Sequence, residues 1–221
     1  MKTLAFDTST KFLSIACFEG AEIKASFHKD VGISHSELLI PEVKNLINSL
    51  GWNINEIGLI CVGLGPGSFT GLRIGVSAVK GLALVMGCKI TGVPTMDAMV
   101  KNITGKNGLV APFMDARKGK VYTCVYKISN GKVQKLTDYS LVEAKEFLGT
   151  LKEEVMFFGD GLHKYKDELD SCVLARYNEK IDWYPKGVDI GLLGIDRKIF
   201  TAAEDLEPLY LHPKECNVVK L

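Results

Sequence analysis

"GLGPGSFTGLRIGVSAVKGLAL", residues 63–84, continues the apolar run IGLICVG (57–63) and turns it into a helix. A run that is apolar at successive positions is the pattern of a strand covered on both faces in the middle of a sheet. The glycines raise the question of phosphate. A P-loop requires G-x-x-x-x-G-K-[ST], and here Gly71 is followed by Leu72 and Arg73. A dinucleotide fingerprint, G-x-G-x-x-G, follows the first strand of a βαβ unit, whereas Gly63, Gly65 and Gly67 have the wrong spacing and come after a three-strand meander. What remains is a tight strand-to-helix turn, GLGPGS, with Ser68 or Thr70 as helix cap.

The helix itself carries more. At about 100° per residue, Leu72, Val76, Val79, Ala83 and Met86 gather on the side fit to lie on a sheet. Gly71, Gly75, Ala78 and Leu82 form an adjoining small stripe, bordered by Ile74, Gly81 and Val85, and only a narrow strip around Arg73, Ser77 and Lys80 is polar. Glycine inside a helix costs about 1 kcal/mol relative to alanine, so the stripe implies close approach by another backbone. A helix predicted over residues 36–50, with Leu39, Val43, Leu46, Ile47 and Leu50 on one face, covers part of it. The outer ridge is expected to meet another subunit in a four-helix contact, with Leu39, Val43, Leu46, Gly71, Arg73, Ile74, Gly75, Ala78 and Leu82 as the interface. On this reading Gly75→Leu abolishes partner binding and leaves the monomer folded.

Upstream, TLAFD, FLSIACF and AEIKASFH predict three antiparallel strands over residues 3–28. Downstream, GLVAPFMD, KVYTCVYKI, the hairpin signal Asn130-Gly131, a third strand, the helical LVEAKEFLGTLKE and the buried strand in EVMFFGDG repeat the order strand, strand, strand, helix, strand, helix. Each half opens on an apolar strand that ends in aspartate, Asp7 and Asp115. Two such halves suggest an α/β fold of the actin-like (ASKHA) kind, with one lobe over residues 1–100 and an abbreviated second lobe over 101–221. In that architecture the opening hairpins cradle phosphate, which makes Asp7, Thr8, Ser9 and Asp115 candidate nucleotide ligands, with Gly159 and Gly161 of FGDG lining an adenosine pocket. The plainer reading is that Asp, Ser and Thr cap turns at strand ends and the glycines make a strand-to-helix turn.

Composition excludes several classes. The 27 Lys and Arg against 26 Asp and Glu create no net field for a polyanion, so a free-standing tRNA-gripping module is disfavoured. The N-terminus is too short and polar for a signal peptide or membrane span. Of the six cysteines, Cys17, Cys61, Cys88, Cys124, Cys172 and Cys216, none forms a C-x-x-C pair, and those in apolar strands suit a reducing cytoplasm. The four histidines, His28, His35, His163 and His212, contain no H-x-x-x-H pair; His35 reads as a cap or surface residue and His163 as solvated. G-x-S-x-G is absent, which leaves a protease little to stand on.

These stretches, together with HSELLIPEV, MDARKGKVY and the terminal EPLYL, carry a resemblance over nearly the whole chain to the TsaB (YeaZ) family of bacterial tRNA threonylcarbamoyladenosine biosynthesis proteins. The resemblance implies an actin-like fold in two lobes, and a non-catalytic subunit that docks through its first-lobe helices on the larger, metal-bearing paralogue TsaD. The ATPase TsaE completes the assembly and tRNA is reached through the complex. It implies no metal and no required cofactor in this chain, at most weak ATP or ADP binding, and a homodimer when the partner is absent. Two other readings stand beside it: an independent kinase or ATPase using Asp7 and Asp115, and a homodimeric binding module that pairs the glycine stripe with itself.

Overall fold

The computed structural model describes residues 1–103, 105–178 and 183–211. It divides into two units, Met1–Asn102 with Tyr184–Pro208, and Ile103–Trp183 with residues 209–211. A second lobe over 101–221 therefore needs one correction: residues 184–208 return to the first unit.

In the first unit β1 (Lys2–Asp7), β2 (Phe12–Glu19) and β3 (Glu22–Asp30) form the expected antiparallel meander. Helix α1 (His35–Ser49) leads to β4 (Ile57–Gly63), α2 (Phe69–Met86) leads to β5 (Lys89–Val93), and α3 (Thr95–Val100) follows. Strand β4 pairs parallel with β1 and β5 with β4, giving the order β3-β2-β1-β4-β5. Side chains alternate across this sheet. Leu4, Phe6, Ile15, Ile60 and Val62 meet Leu39, Val43 and Ile47 of α1 and Val76, Val79 and Ala83 of α2, while Ala5, Ala16, Phe18, Leu59 and Cys61 face the opposite side. Both faces are covered, which is why residues 57–63 read as unbroken apolar sequence.

The second unit repeats the plan. Strands β6 (Gly108–Asp115), β7 (Lys120–Thr123), β8 (Tyr126–Ser129), β9 (Lys132–Lys135) and β10 (Ser140–Glu143) are followed by α4 (Ala144–Gly149), β11 (Val155–Phe158), α5 (Gly161–Lys164), α6 (Lys166–Asp170) and β12 (Ala175–Tyr177). The path β10-β7-β6-β11-β12 matches the first sheet in order and direction, with β6, β7 and β10 antiparallel and β11 and β12 parallel to β6. This is the duplicated actin-like arrangement. Its helices are short, four to six residues against fifteen and eighteen for α1 and α2.

Two local expectations change. The single strand KVYTCVYKI is split, because Thr137 takes the backbone of Val125: its amide donates to the Val125 carbonyl and its Oγ1 accepts the Val125 N–H at 2.9 Å. The third meander strand is β10 rather than the continuation of the Asn130-Gly131 hairpin, and residues 141–143 of the predicted helix are extended.

Helix α7 (Gly187–Arg197) lies on the first unit's sheet, on the face that carries Ala5, Phe18 and Cys61, where Ile190 is fully buried. Gly187, Gly191 and Gly194 are its contact side. A Cβ on Gly187 would stand 2.8 Å from the Ile15 carbonyl carbon, one on Gly191 would overlap the Phe18 ring, and one on Gly194 the Cys61 sulfur. Beyond α7 the chain covers the β5 edge, with Thr201 N–H donating to the Ile90 carbonyl at 2.9 Å and Thr91 Oγ1 to the Ile199 carbonyl at 2.8 Å. It then buries Leu206 in the core shared with α1 and α2. Gly191→Val should push α7 off the sheet and cost about 1–3 kcal/mol, roughly 3–10 °C in Tm by calorimetry. An unchanged Tm would mean that the helix does not sit this close.

Candidate functional site

The loop after β1 and the turn before α2 are built against each other. Asp7, Thr8 and Ser9 are 0 %, 0 % and 1 % exposed. Asp7 Oδ1 accepts the Ser9 N–H at 2.8 Å and the Ser9 hydroxyl at 2.6 Å, and Oδ2 accepts the Thr95 hydroxyl at 2.8 Å. Thr95 Oγ1 in turn accepts the Gly65 N–H at 3.0 Å, Ser68 N–H donates to the Ser9 carbonyl at 2.7 Å, and Thr8 Oγ1 donates to the Gly71 carbonyl at 2.8 Å. Burial pushes the Asp7 carboxyl up, and the bonds from Ser9 and Thr95 offset only part of that.

The side chains of Asp7, Thr8 and Ser9, expected at a phosphate, point into the protein and are bonded there. The glycines face the same loop. A Cβ on Gly63 would overlap the Asp7 carboxylate, one on Gly67 the Ser9 backbone and one on Gly71 the Thr8 carbonyl, while one on Gly75 would come within 2.5 Å of Thr8 Oγ1. Gly71 and Gly75 are therefore packed on the chain's own loop and not offered to another subunit, and Gly75→Leu would strike the fold itself. Ser68 is the α2 cap, its Oγ accepting the Gly71 N–H at 3.2 Å.

Leu39 and Val43 are also withdrawn from the surface, each 1 % exposed on the inner side of α1. Leu46, Ile74, Ala78 and Leu82 are partly buried at the edge of the same core. Arg73 is exposed, its guanidinium 3.8 Å from the Phe69 ring centroid. The open apolar groups are others: Leu84 is 85 % exposed, Val85 81 %, Phe69 51 % and Ile40 of α1 47 %. Gly81, on the outer face of α2, has nothing within 4 Å of where a Cβ would be. Leu84 follows Arg73 and Ser77 by eleven and seven residues, so it shares their strip, and an apolar side chain there was the sequence signal for an unpartnered face. Helix α2 is long and apolar enough to cross a membrane by length and composition, but its inner side is committed to the sheet through Leu72, Val76, Val79 and Ala83.

In the second unit Asp115 ends β6 and is held by Lys164 Nζ, 2.9 Å from both carboxylate oxygens, by the Tyr165 hydroxyl at 3.0 Å and by the Arg117 N–H at 2.8 Å. Partial burial raises its pKa, but Lys164, the Arg117 amide and Tyr165 outweigh it and hold the carboxyl below its ordinary value. Burial and the neighbouring Asp115 push the Tyr165 phenol up to about 12. Gly159 and Gly161 bring their backbone against Phe113, where Cβ atoms would lie 2.7 and 2.6 Å from its carbonyl oxygen. They are close-approach positions at the turn from β11 into α5.

His35 is a correction: it is 4 % exposed, with Nε2 donating to the Phe12 carbonyl at 3.3 Å. His163 is exposed and edge-on to the Trp183 ring. His212 and Cys216 lie outside the described residues. Among the described residues no three His, Cys, Asp or Glu side chains gather as a metal site.

A family model described as TsaD, tRNA N6-adenosine threonylcarbamoyltransferase, matches residues 25–194. The tRNA threonylcarbamoyladenosine biosynthesis protein TsaB of Bacillus subtilis (strain 168) is 34 % identical over 222 residues, covering 98 % of this chain and 96 % of that protein. The protein of the same description from Escherichia coli (strain K12) is 29 % identical over 95 % of this chain and 85 % of its own length. The solved structure of YeaZ from Pseudomonas aeruginosa superposes with a TM-score of 0.80 at 25 % identity, covering 95 % of this chain and 99 % of that one.

One substitution at two places on α2 tests which side of the helix is covered. Gly71→Ala should lower stability by about 1–3 kcal/mol through overlap with Thr8, and Gly81→Ala should raise it by about 0.5–1 kcal/mol through helix propensity alone. Denaturant titration reads both; equal effects would contradict the assignment of faces.

Proposed function

The chain belongs to the TsaB (YeaZ) family of tRNA threonylcarbamoyladenosine biosynthesis proteins, and we propose that within this pathway it is a non-catalytic subunit that docks on a TsaD-type paralogue. The partner carries the metal and transfers the threonylcarbamoyl group from its adenylate to the adenosine beside the anticodon in tRNAs that read codons starting with A. The ATPase TsaE completes the assembly, tRNA is met through the complex, and the setting is the cytoplasm. This chain requires no cofactor, and its binding of ATP or ADP is weak at most.

The observation that carries the proposal is the contrast between the two sides of α2. Inside, the groups that a kinase or ATPase would need at the phosphate, Asp7 with Thr8 and Ser9, are buried and bonded to the chain itself. Outside, Leu84, Val85 and Phe69 on α2 and Ile40 on α1 stand in water on two neighbouring helices. Large apolar groups at such exposure favour burial against a partner, at about 1.5–3 kcal/mol for each side chain fully covered. Without the paralogue the same exposed apolar groups are available for two-fold self-pairing.

The test uses the intact chain and the TsaD-type protein encoded with it. Leu84→Asp combined with Val85→Asp should weaken their association on the order of 100-fold, because an interface would have to bury two carboxylates, and leave Tm within about 2 °C. The same variant should lower threonylcarbamoyladenosine in tRNA of cells that depend on it. Asp115→Ala should leave both association and modification intact. Loss of modification with assembly preserved would instead support an enzyme working through Asp115, and undiminished association of the double variant would remove the α2 face from the account.

A further inference from the structure

Helix α2 begins at Phe69, and its first turn and the turn before it are bonded to two other places in the chain. From the loop after β1, the Ser9 carbonyl takes the Ser68 N–H and the Thr8 hydroxyl caps the Gly71 carbonyl. From the start of α3, Thr95 holds the turn twice: its N–H donates to the Gly65 carbonyl at 2.8 Å and its Oγ1 accepts the Gly65 N–H at 3.0 Å. The Thr95 hydroxyl proton then goes to Asp7 Oδ2 at 2.8 Å.

Asp7 thus joins the two anchors. It accepts three hydrogen bonds, two on Oδ1 from Ser9 and one on Oδ2 from Thr95, in a place fully shut off from water. A buried polar group that loses its partner carries the full desolvation cost, so each of the three bonds helps hold the set together. The glycines at 63, 67 and 71 let the parts close to van der Waals contact, which leaves the helix little room to tilt.

We infer that the Asp7–Ser9 loop and Thr95 act as a clasp that fixes the pose of α2, with Asp7 and Thr95 as positioning residues for partner docking although neither reaches the surface. The inference rests on the docking role of α2 proposed above. It gives the loop after β1 a use that differs from phosphate binding: the same aspartate and hydroxyls that would face a nucleotide are turned inward to aim a helix.

Thr95 separates hydrogen bonding from volume. Thr95→Val keeps the shape and removes both hydroxyl bonds; Thr95→Ser keeps the hydroxyl and removes a methyl. Hydrogen exchange of the amides of Ser68, Gly71 and Leu72 in the isolated full chain reads the clasp, with the β1 and β2 amides as a control for global opening. Affinity for the TsaD-type protein reads its consequence. Thr95→Val should speed exchange at those three amides about tenfold or more and weaken binding by a similar factor, while Thr95→Ser stays near wild type in both. Thr8→Val, which removes only the bond to the Gly71 carbonyl, gives the same signs more mildly and serves if Thr95→Val does not fold.

Exchange in Thr95→Val as slow as in wild type, or Thr95→Ser as damaging as Thr95→Val, would overturn the clasp. Faster exchange with unchanged affinity would overturn its link to docking. A wild-type chain that does not bind the paralogue at all would remove the docking proposal instead, and the exchange measurements would still decide the clasp.

Discussion

The contact on which the first unit depends is the closure of the β4–α2 turn onto the loop after β1. Gly63, Gly67, Gly71 and Gly75 lie where a side chain would meet Asp7, Ser9 or Thr8, so the helix can descend until its backbone touches the loop. Two glycines within the helical segment sacrifice about 1 kcal/mol each in propensity. The close approach offsets this by letting Thr8 and Ser9 bond the helix entrance directly and by placing Leu72, Val76 and Val79 on the sheet.

The other consequences follow from that closure. A helix of eighteen residues that turns Gly71, Gly75 and four of its apolar residues inward still has apolar residues left on the outside, and these are what α2 shows to solvent. The opposite face of the sheet uses the same device, since Gly187, Gly191 and Gly194 let α7 lie flush on β-strands formed from the first two dozen residues and on β4. In both places glycine serves contact between parts of one chain. The segment after α7 then passes the β5 edge and returns Leu206 to the α1–α2 core, with Lys80 of α2 donating to the Glu204 carbonyl at 3.2 Å. Helix α2 is therefore secured at its first turn by the loop after β1 and at Lys80 by the segment that follows α7.

Much of this was legible from local pattern. The meander, α1, the buried β4 and the turn into α2 follow from alternation, helical spacing and turn residues, and the repeat of strand order between the halves was visible despite little identity. Site placement was harder for a physical reason. A helical wheel separates the bulky side from the small side of α2, but a small side fits a second helix and a tight backbone loop equally well, and only the fold brings Thr8 to Gly71 and Gly75. Leu39 and Val43 misled in the same manner, because an apolar arc on α1 is the same whether it meets the core or a partner. Leu84 was readable, as an apolar residue among polar ones, and its meaning emerges once the inner arc is assigned. The split at Cys124 and Val125 depends on Thr137, twelve residues away, and no local pattern announces it. The return of residues 184–208 to the first unit is likewise a long-range choice.

The account turns on which side of α2 is open to a partner. The most direct measurement is a methyl NMR titration of the isolated chain, labelled at Ile, Leu and Val, with unlabelled TsaD-type protein. Signals from Leu84, Val85 and Ile40 should shift or broaden at substoichiometric partner, with those of Leu39, Val43 and Val76 far less affected. If the complex forms while the Leu84, Val85 and Ile40 methyls keep their free positions and linewidths, the partner sits elsewhere and the account of α2 as the docking face is wrong.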